Sequence, residues 1–457
     1  MRRCLLASIL FALGATPAFA HASGRGFVML LPTGYVAAGG ALAVLVSFIA
    51  LSLLPGRALR MTVPHETERP AFGRIASLIS AVILGLLIII GFLGPRDPAE
   101  NLLPLTVWTL WWVVIVLLHP LFGDLWARIN PFTGLSALLT GNWRTRESRA
   151  PLAYPDWLSY WPAVFVFLAF AWFQLVFPAP EDPAILAFVV LCYAAASLAA
   201  VVLFGPAQWL GKADPFAVFF SQLGAVAPLG SNGWRWPGMG LLALPALPAS
   251  GVLFVLLTLS TITFDGFANT FVWLSLIGIN PLDFPGRTAV LGANTLGLIA
   301  SFAVLACGFF VAVWLGWAWA GRPQNLGRLC GRLVYSLIPI SIAYHFAHYL
   351  SDTLLALQYA AVALNDPLQN GAQLLGLGHM HVSASFQNTA SGTFAIYTAQ
   401  TMAIVIGHVV GVAVAHTMAA EAAPSRACAF KLELPLAICM VAYTGLGLWL
   451  LGAPSIA

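Results

Sequence analysis

Ten stretches of apolar residues, each long enough to cross a bilayer, follow one another at about 34–54, 75–94, 104–122, 157–178, 184–204, 248–274, 288–319, 333–357, 393–419 and 434–452. A run of roughly 20 such residues matches the hydrocarbon thickness. Inside it every backbone N–H and C=O must be satisfied within the segment, which leaves the α-helix or the closed β-barrel. Runs this long and this uniformly apolar specify an all-α polytopic transmembrane helix bundle. Only 8% of the 457 residues are charged, against about a quarter in a soluble domain. The lipid bilayer is therefore the first partner, and no dense basic face offers itself to nucleic acid.

Ahead of the ten lies MRRCLLASILFALGATPAFAHA, with a basic start, a short apolar core and an Ala-Phe-Ala end. This is the pattern of a secretory signal peptide over residues 1–20, cleaved after Ala20 so that His21 becomes the mature N-terminus. An uncleaved first span is the competing reading. Residues 21–457 then form one integral membrane domain with its N-terminus outside. On that alternation fifteen Lys and Arg fall in loops assigned inside, among them Arg57, Arg74, Arg128, Arg144, Lys212, Arg332 and Lys431, against three outside, Arg25, Arg96 and Arg287. The positive-inside rule fixes the orientation, with the mature N-terminus on the outer side of an inner, cytoplasmic membrane. None of the six cysteines falls in an outer segment, so no structural disulfide is expected.

Two inner corners read alike, DLWARINPFTGLSALL at 124–139 and QWLGKADPFAVFFSQL at 208–223. In each, Asn or Asp can cap a new helix whose first turn starts with Pro. The apolar residues that follow are expected in the headgroup layer. The outer loop 358–392 is long and glycine-bearing, and reads as a lid.

An intramembrane ionisable residue needs a partner or a cavity, and the eighth span holds three in YHFAHYLSD. On a helix His348 lies about 300° and Asp352 about 340° around from His345, so all three share one arc. Pro339, earlier in the span, is expected to bend the helix. At about 1.5 Å per residue, His408 of the ninth span and Asp265 of the sixth come out at similar depth. Gly407 and Gly411 form a small face that admits a neighbouring helix. His345, His348 and His408 are candidate ligands of a divalent metal ion, zinc or another first-row transition metal. Asp265 and Asp352 would ligate, orient a histidine or act as base. The same residues also read as helix-to-helix contacts, as a haem pair (His345 or His348 opposite His408) or as a proton or solute path. His119 and His416 read as packed structural histidines. Outside, His21, His379 and His381 are candidates for copper. No phosphate-binding loop, GxSxG, CxxCH or HExxH is present.

DLWARINPF at an inner corner, IPISIAYHFAHYLS in the eighth span and IVIGHVVGVAVAHTMA in the ninth are together similar to bacterial polytopic proteins named fenitrothion hydrolase, a group of membrane-bound organophosphorus hydrolases. The similarity follows span order over most of the mature chain. Members of that group lack a His at the position of His345, and their last His is followed by Asp, where this chain has Thr417. The resemblance implies a hydrolase of hydrophobic organophosphorus triesters such as fenitrothion, releasing a nitrophenol. A metal-activated water would suit that reaction. A b-type haem electron carrier and a copper or small-solute handling protein are the competing functions. Each leaves room for a second membrane subunit.

Overall fold

The computed structural model describes residues 33–53, 73–141, 150–230, 233–283, 286–376 and 380–454. The signal peptide, His21 and His379 lie outside the described residues. The bundle runs through α1 (Thr33–Leu53), α2 (Gly73–Leu93), α3 (Leu102–Phe122), α4 (Pro131–Leu139), α5 (Trp161–Leu175), α6 (Pro183–Phe204) and α7 (Pro215–Gly224). It continues through α8 (Ala249–Ala268), α9 (Arg287–Trp319), α10 (Leu326–Leu333), α11 (Ile338–Asn365), α12 (Ala390–Ala422) and α13 (Arg426–Gly452). Among the described residues nine helical segments are long and apolar enough to cross a membrane, and α5 is a shorter apolar helix of 15 residues at the remaining expected span. Strand pairing among them is confined to Leu229–Gly230 with Gly233–Trp234. The expected all-α polytopic bundle is what the chain forms, and its apolar exterior is that of a multi-pass membrane protein.

We call the end where α2, α5, α8 and α11 finish the upper end. Contacts between connections stay within one end, as the alternation of spans requires. At the upper end Gln369 donates to Glu100 at 2.6 Å, and the Phe271 N–H to the Pro454 carbonyl at 2.9 Å. At the lower end Arg332 holds the Leu244 carbonyl at 2.6 Å and Glu421 at 3.1 Å, and Lys431 lies over Trp319.

Helix starts follow the polar residues. Asn130 accepts from the Phe132 N–H at 3.0 Å, Asp214 from the Ala217 N–H at 2.8 Å and Asp182 from the Ala184 N–H at 3.0 Å, each with Pro in the first turn. The two inner corners therefore cap as expected. They differ in what comes next. The end of α4 exposes Leu138 and Leu139, whereas α7 buries Phe216, Val218, Phe219, Phe220 and Leu223. Placing α7 in the headgroup layer was incorrect, because its rings pack against Trp111, Trp112, Phe167 and His119. Burial extends to the cap itself: Asp214 is buried, which pushes its carboxyl above the usual range, while the Tyr193 hydroxyl donates to it at 2.6 Å.

Two features of the α11–α12 hairpin differ from expectation or refine it. The helix preceding the upper loop runs on to Asn365, since Ala360 and Ala363 pack onto Leu87, Leu102 and Leu103. The loop is thus 366–389, shorter than 358–392. Below, the bend expected at Pro339 appears as a 3₁₀ turn over Val334–Leu337 immediately before α11. The Gly407 and Gly411 face does bring the helices together: a Cβ on Gly407 would meet the Ala343 methyl and lie 2.8 Å from the Pro339 carbonyl, and one on Gly411 would lie 2.7 Å from the Ser336 carbonyl. Gly407→Val is therefore expected to force α11 and α12 apart, lowering stability by about 1–3 kcal/mol. Thermal melting in detergent checks it.

Candidate acid–base site

The polar residues of α8 and α11 meet at the upper end in a cavity of about 650 Å³. Its floor is an ionisable pair, with His348 Nε2 3.0 Å from Asp265 Oδ2. The same carboxylate oxygen accepts from the Tyr349 hydroxyl at 2.6 Å, and that hydroxyl accepts from Gln174 Nε2 at 2.8 Å and from Trp112 Nε1 at 3.4 Å. Asp265 Oδ2 is thus held by two donors, which is how a charge is tolerated at this depth. Donation of Nε2–H to the carboxylate fixes the His348 tautomer and leaves Nδ1 with its lone pair. Nδ1 is 3.7 Å from where a Cβ on Gly266 would sit, so the glycine keeps the space beside it open. His348 remains 30% exposed and Asp265 14%, enough for a ligand in the cavity to reach them. Asp352, one turn above His348, lines the same space, as does Arg287. The Arg287 guanidinium donates to the Gln174 carbonyl at 2.7 Å and the Phe177 carbonyl at 3.3 Å, which anchors a positive charge at the rim.

Asp265, His348 and Asp352 are brought together. His345 and His408 do not line that cavity. His345 is buried and gives Nε2 to the Trp112 carbonyl at 2.7 Å. That carbonyl belongs to Leu105–Ile115, the part of α3 wound as a π-helix; such irregular turns recur at functional sites. His408 is fully buried and gives Nδ1 to the Ile404 carbonyl at 2.8 Å. Its ring packs on Tyr344 and Tyr443, with centroids 5.9 and 6.3 Å away. Equal depth did not mean equal direction, because the Gly407 contact sets α12 with His408 toward the tyrosines.

Among the described residues no group of three or more His, Cys, Asp or Glu side chains is arranged to hold a metal ion. His345 and His348 commit their Nε2 atoms to protein acceptors, and His408 lies apart. The expected three-histidine metal centre does not fit this arrangement. His381 is exposed on the upper loop, and none of the described residues of 366–389 lines the cavity.

Tyr349, Gln174, Arg287 and Trp112 are site residues that the sequence reading passed over. Gln174 carried a usable signal, a lone polar residue within an apolar span. His119 is the structural residue it was expected to be: it is fully buried, gives Nδ1 to the Ile115 carbonyl at 2.7 Å and accepts the Trp126 N–H on Nε2 at 3.0 Å. His416 is buried against Glu433, with Nδ1 3.0 and 3.1 Å from the two carboxylate oxygens. No protein family model matches the chain, and neither a characterised protein nor a solved structure matches it.

Proposed function

We propose that the protein is a membrane-embedded hydrolase of hydrophobic organophosphorus triesters, of which fenitrothion is the example, acting through the Asp265–His348 pair. The observation that carries this reading is the 3.0 Å pairing of His348 with a buried carboxylate at the floor of a cavity able to hold an aryl ester. The arrangement follows the general logic of an oriented general base: a carboxylate holds one ring nitrogen and the other accepts a proton from the nucleophile. Water attacks phosphorus as its proton passes to His348 Nδ1, and the P–O bond to the aryl group breaks, its electron pair leaving with the nitrophenolate. Asp265 balances the charge on His348, and Tyr349 and Gln174 keep Asp265 in place. Arg287 supplies the positive charge that favours the leaving phenolate. Asp352, one turn above His348, adds a second carboxyl group to the same cavity. In the orientation favoured by the positive-inside rule the cavity opens to the outside of a bacterial inner membrane.

Membranes carrying the wild-type chain should release nitrophenol from fenitrothion, and a chelator should leave that rate unchanged. His348→Asn should lower it by about 10²–10⁴-fold. Wild-type turnover by His348→Asn would remove this reading.

A further inference from the structure

A second cavity, of about 660 Å³, opens on the lipid-facing side of α2, α3, α5 and α6. Its walls are almost wholly apolar, from Leu84 and Leu87 on α2 across Leu110 on α3 to Ala169 and Phe173 on α5 and Val190 on α6. The rings of Trp111, Phe170 and Phe216 close its depth. One residue, Trp108, lines both this groove and the acid–base cavity. Trp108 lies on the π-helical part of α3. Its indole stacks on Phe170 and Phe173, with centroids 5.9 and 6.2 Å away, and its Nε1 donates to the Pro180 carbonyl at 3.3 Å. A stacked ring held by one long hydrogen bond is a movable partition.

The geometry points to a lateral portal: an uncharged, lipid-soluble ester leaves the acyl region of the bilayer, lodges its apolar part in this groove and passes Trp108 to reach His348. This inference rests on the hydrolase reading for the fate of the ester, but not for its binding. Three observations favour such a ligand over a bilayer lipid or a second copy of the chain. Trp108 lines both the groove and the polar cavity. Its volume suits one aryl or branched alkyl ester. Its walls also lack the charged groups that would hold a lipid headgroup. A water-soluble ester has no need of this route, since the upper cavity is open to it directly.

Ala169 is exposed on the groove wall and does not line the acid–base cavity. Ala169→Trp should fill the groove. Val304→Trp adds the same bulk on α9 at a lipid-facing position that is 72% exposed, and serves as the control. Two measurements decide the matter. The first is kcat/KM for fenitrothion relative to a water-soluble methyl analogue in proteoliposomes. Ala169→Trp should lower that ratio by about tenfold or more, the value of losing the burial of one aryl group, and Val304→Trp should not. The second is binding of tributyl phosphate, a lipid-soluble non-substrate ester, to the purified protein by calorimetry; Ala169→Trp should weaken it by about the same factor. Loss of binding in Ala169→Trp, in a protein that hydrolyses nothing, would keep the groove and discard the hydrolase. Hydrolysis with an unchanged ratio would keep the hydrolase and discard the portal. A co-purified phospholipid released by Ala169→Trp with unaltered ester binding would make the groove a lipid site, and a change of oligomeric state alone would make it a dimer contact; each overturns the proposal.

Discussion

Asp265→Asn should abolish most of the nitrophenol release, by about 10²–10⁴-fold, while leaving the fold in place. The carboxylate accepts from two donors on one oxygen, His348 Nε2 and the Tyr349 hydroxyl. An amide of the same shape keeps one acceptor but replaces the other oxygen with a donor. If the NH2 faces His348, the ring must present an Nε2 lone pair, and its proton moves to Nδ1. The nitrogen facing the cavity is then a donor instead of a base. If the carbonyl faces His348, the tautomer survives, but the negative charge that stabilises the imidazolium is gone. Either way the rate falls without a cavity being created, so thermal melting in detergent should change little. Asp265→Glu should recover part of the rate, because the charge returns about one methylene out of place. An Asp265→Asn variant with wild-type turnover would show that the carboxylate is structural only.

Much of the frame was legible before the structure. Ten apolar runs give the spans, and capping Asn and Asp residues before prolines give the corners. Counting rise per residue from the span ends put Asp265 at the depth of the eighth-span cluster, where it meets His348. Depth along a helix is readable because every residue advances it by the same amount. Direction around the helix is readable only within one element, which is why His345, His348 and Asp352 could be placed on one arc, but His408 could not be placed against them. The hydrogen bond from His345 reaches a carbonyl in a π-helix that no periodicity announces, since 105–115 is apolar but for Thr106 and Thr109. The burial of α7 was hidden for a related reason. PFAVFFSQL is as apolar as an interfacial helix, and only the aromatic rings of α3 and α5 decide that it lies inside. Glu433 escaped because it stands one residue ahead of the tenth apolar stretch and so read as part of a polar flank.

That glutamate gives the largest expected effect on stability. Glu433 is 2% exposed and His416 only slightly more, and the imidazole faces both carboxylate oxygens at the lower end of α12 and α13. Burying such a pair adds little to stability by itself, because desolvation offsets the attraction. Breaking it is another matter: Glu433→Ala leaves a buried imidazole without its partner and should cost about 3–5 kcal/mol. Glu433→Gln keeps an acceptor for Nδ1–H and should cost less. The double variant Glu433→Ala, His416→Leu should recover much of the loss, since two apolar side chains leave no polar group unpaired. Melting of the purified protein across these variants gives the coupling between the two residues. Because the pair lies at the end opposite Asp265, nitrophenol release measured well below the melting transition should be the same in all of them. A Glu433→Ala variant that melts with the wild type would mean that water already reaches this pair, and a loss of turnover without a loss of stability would tie it to the upper cavity.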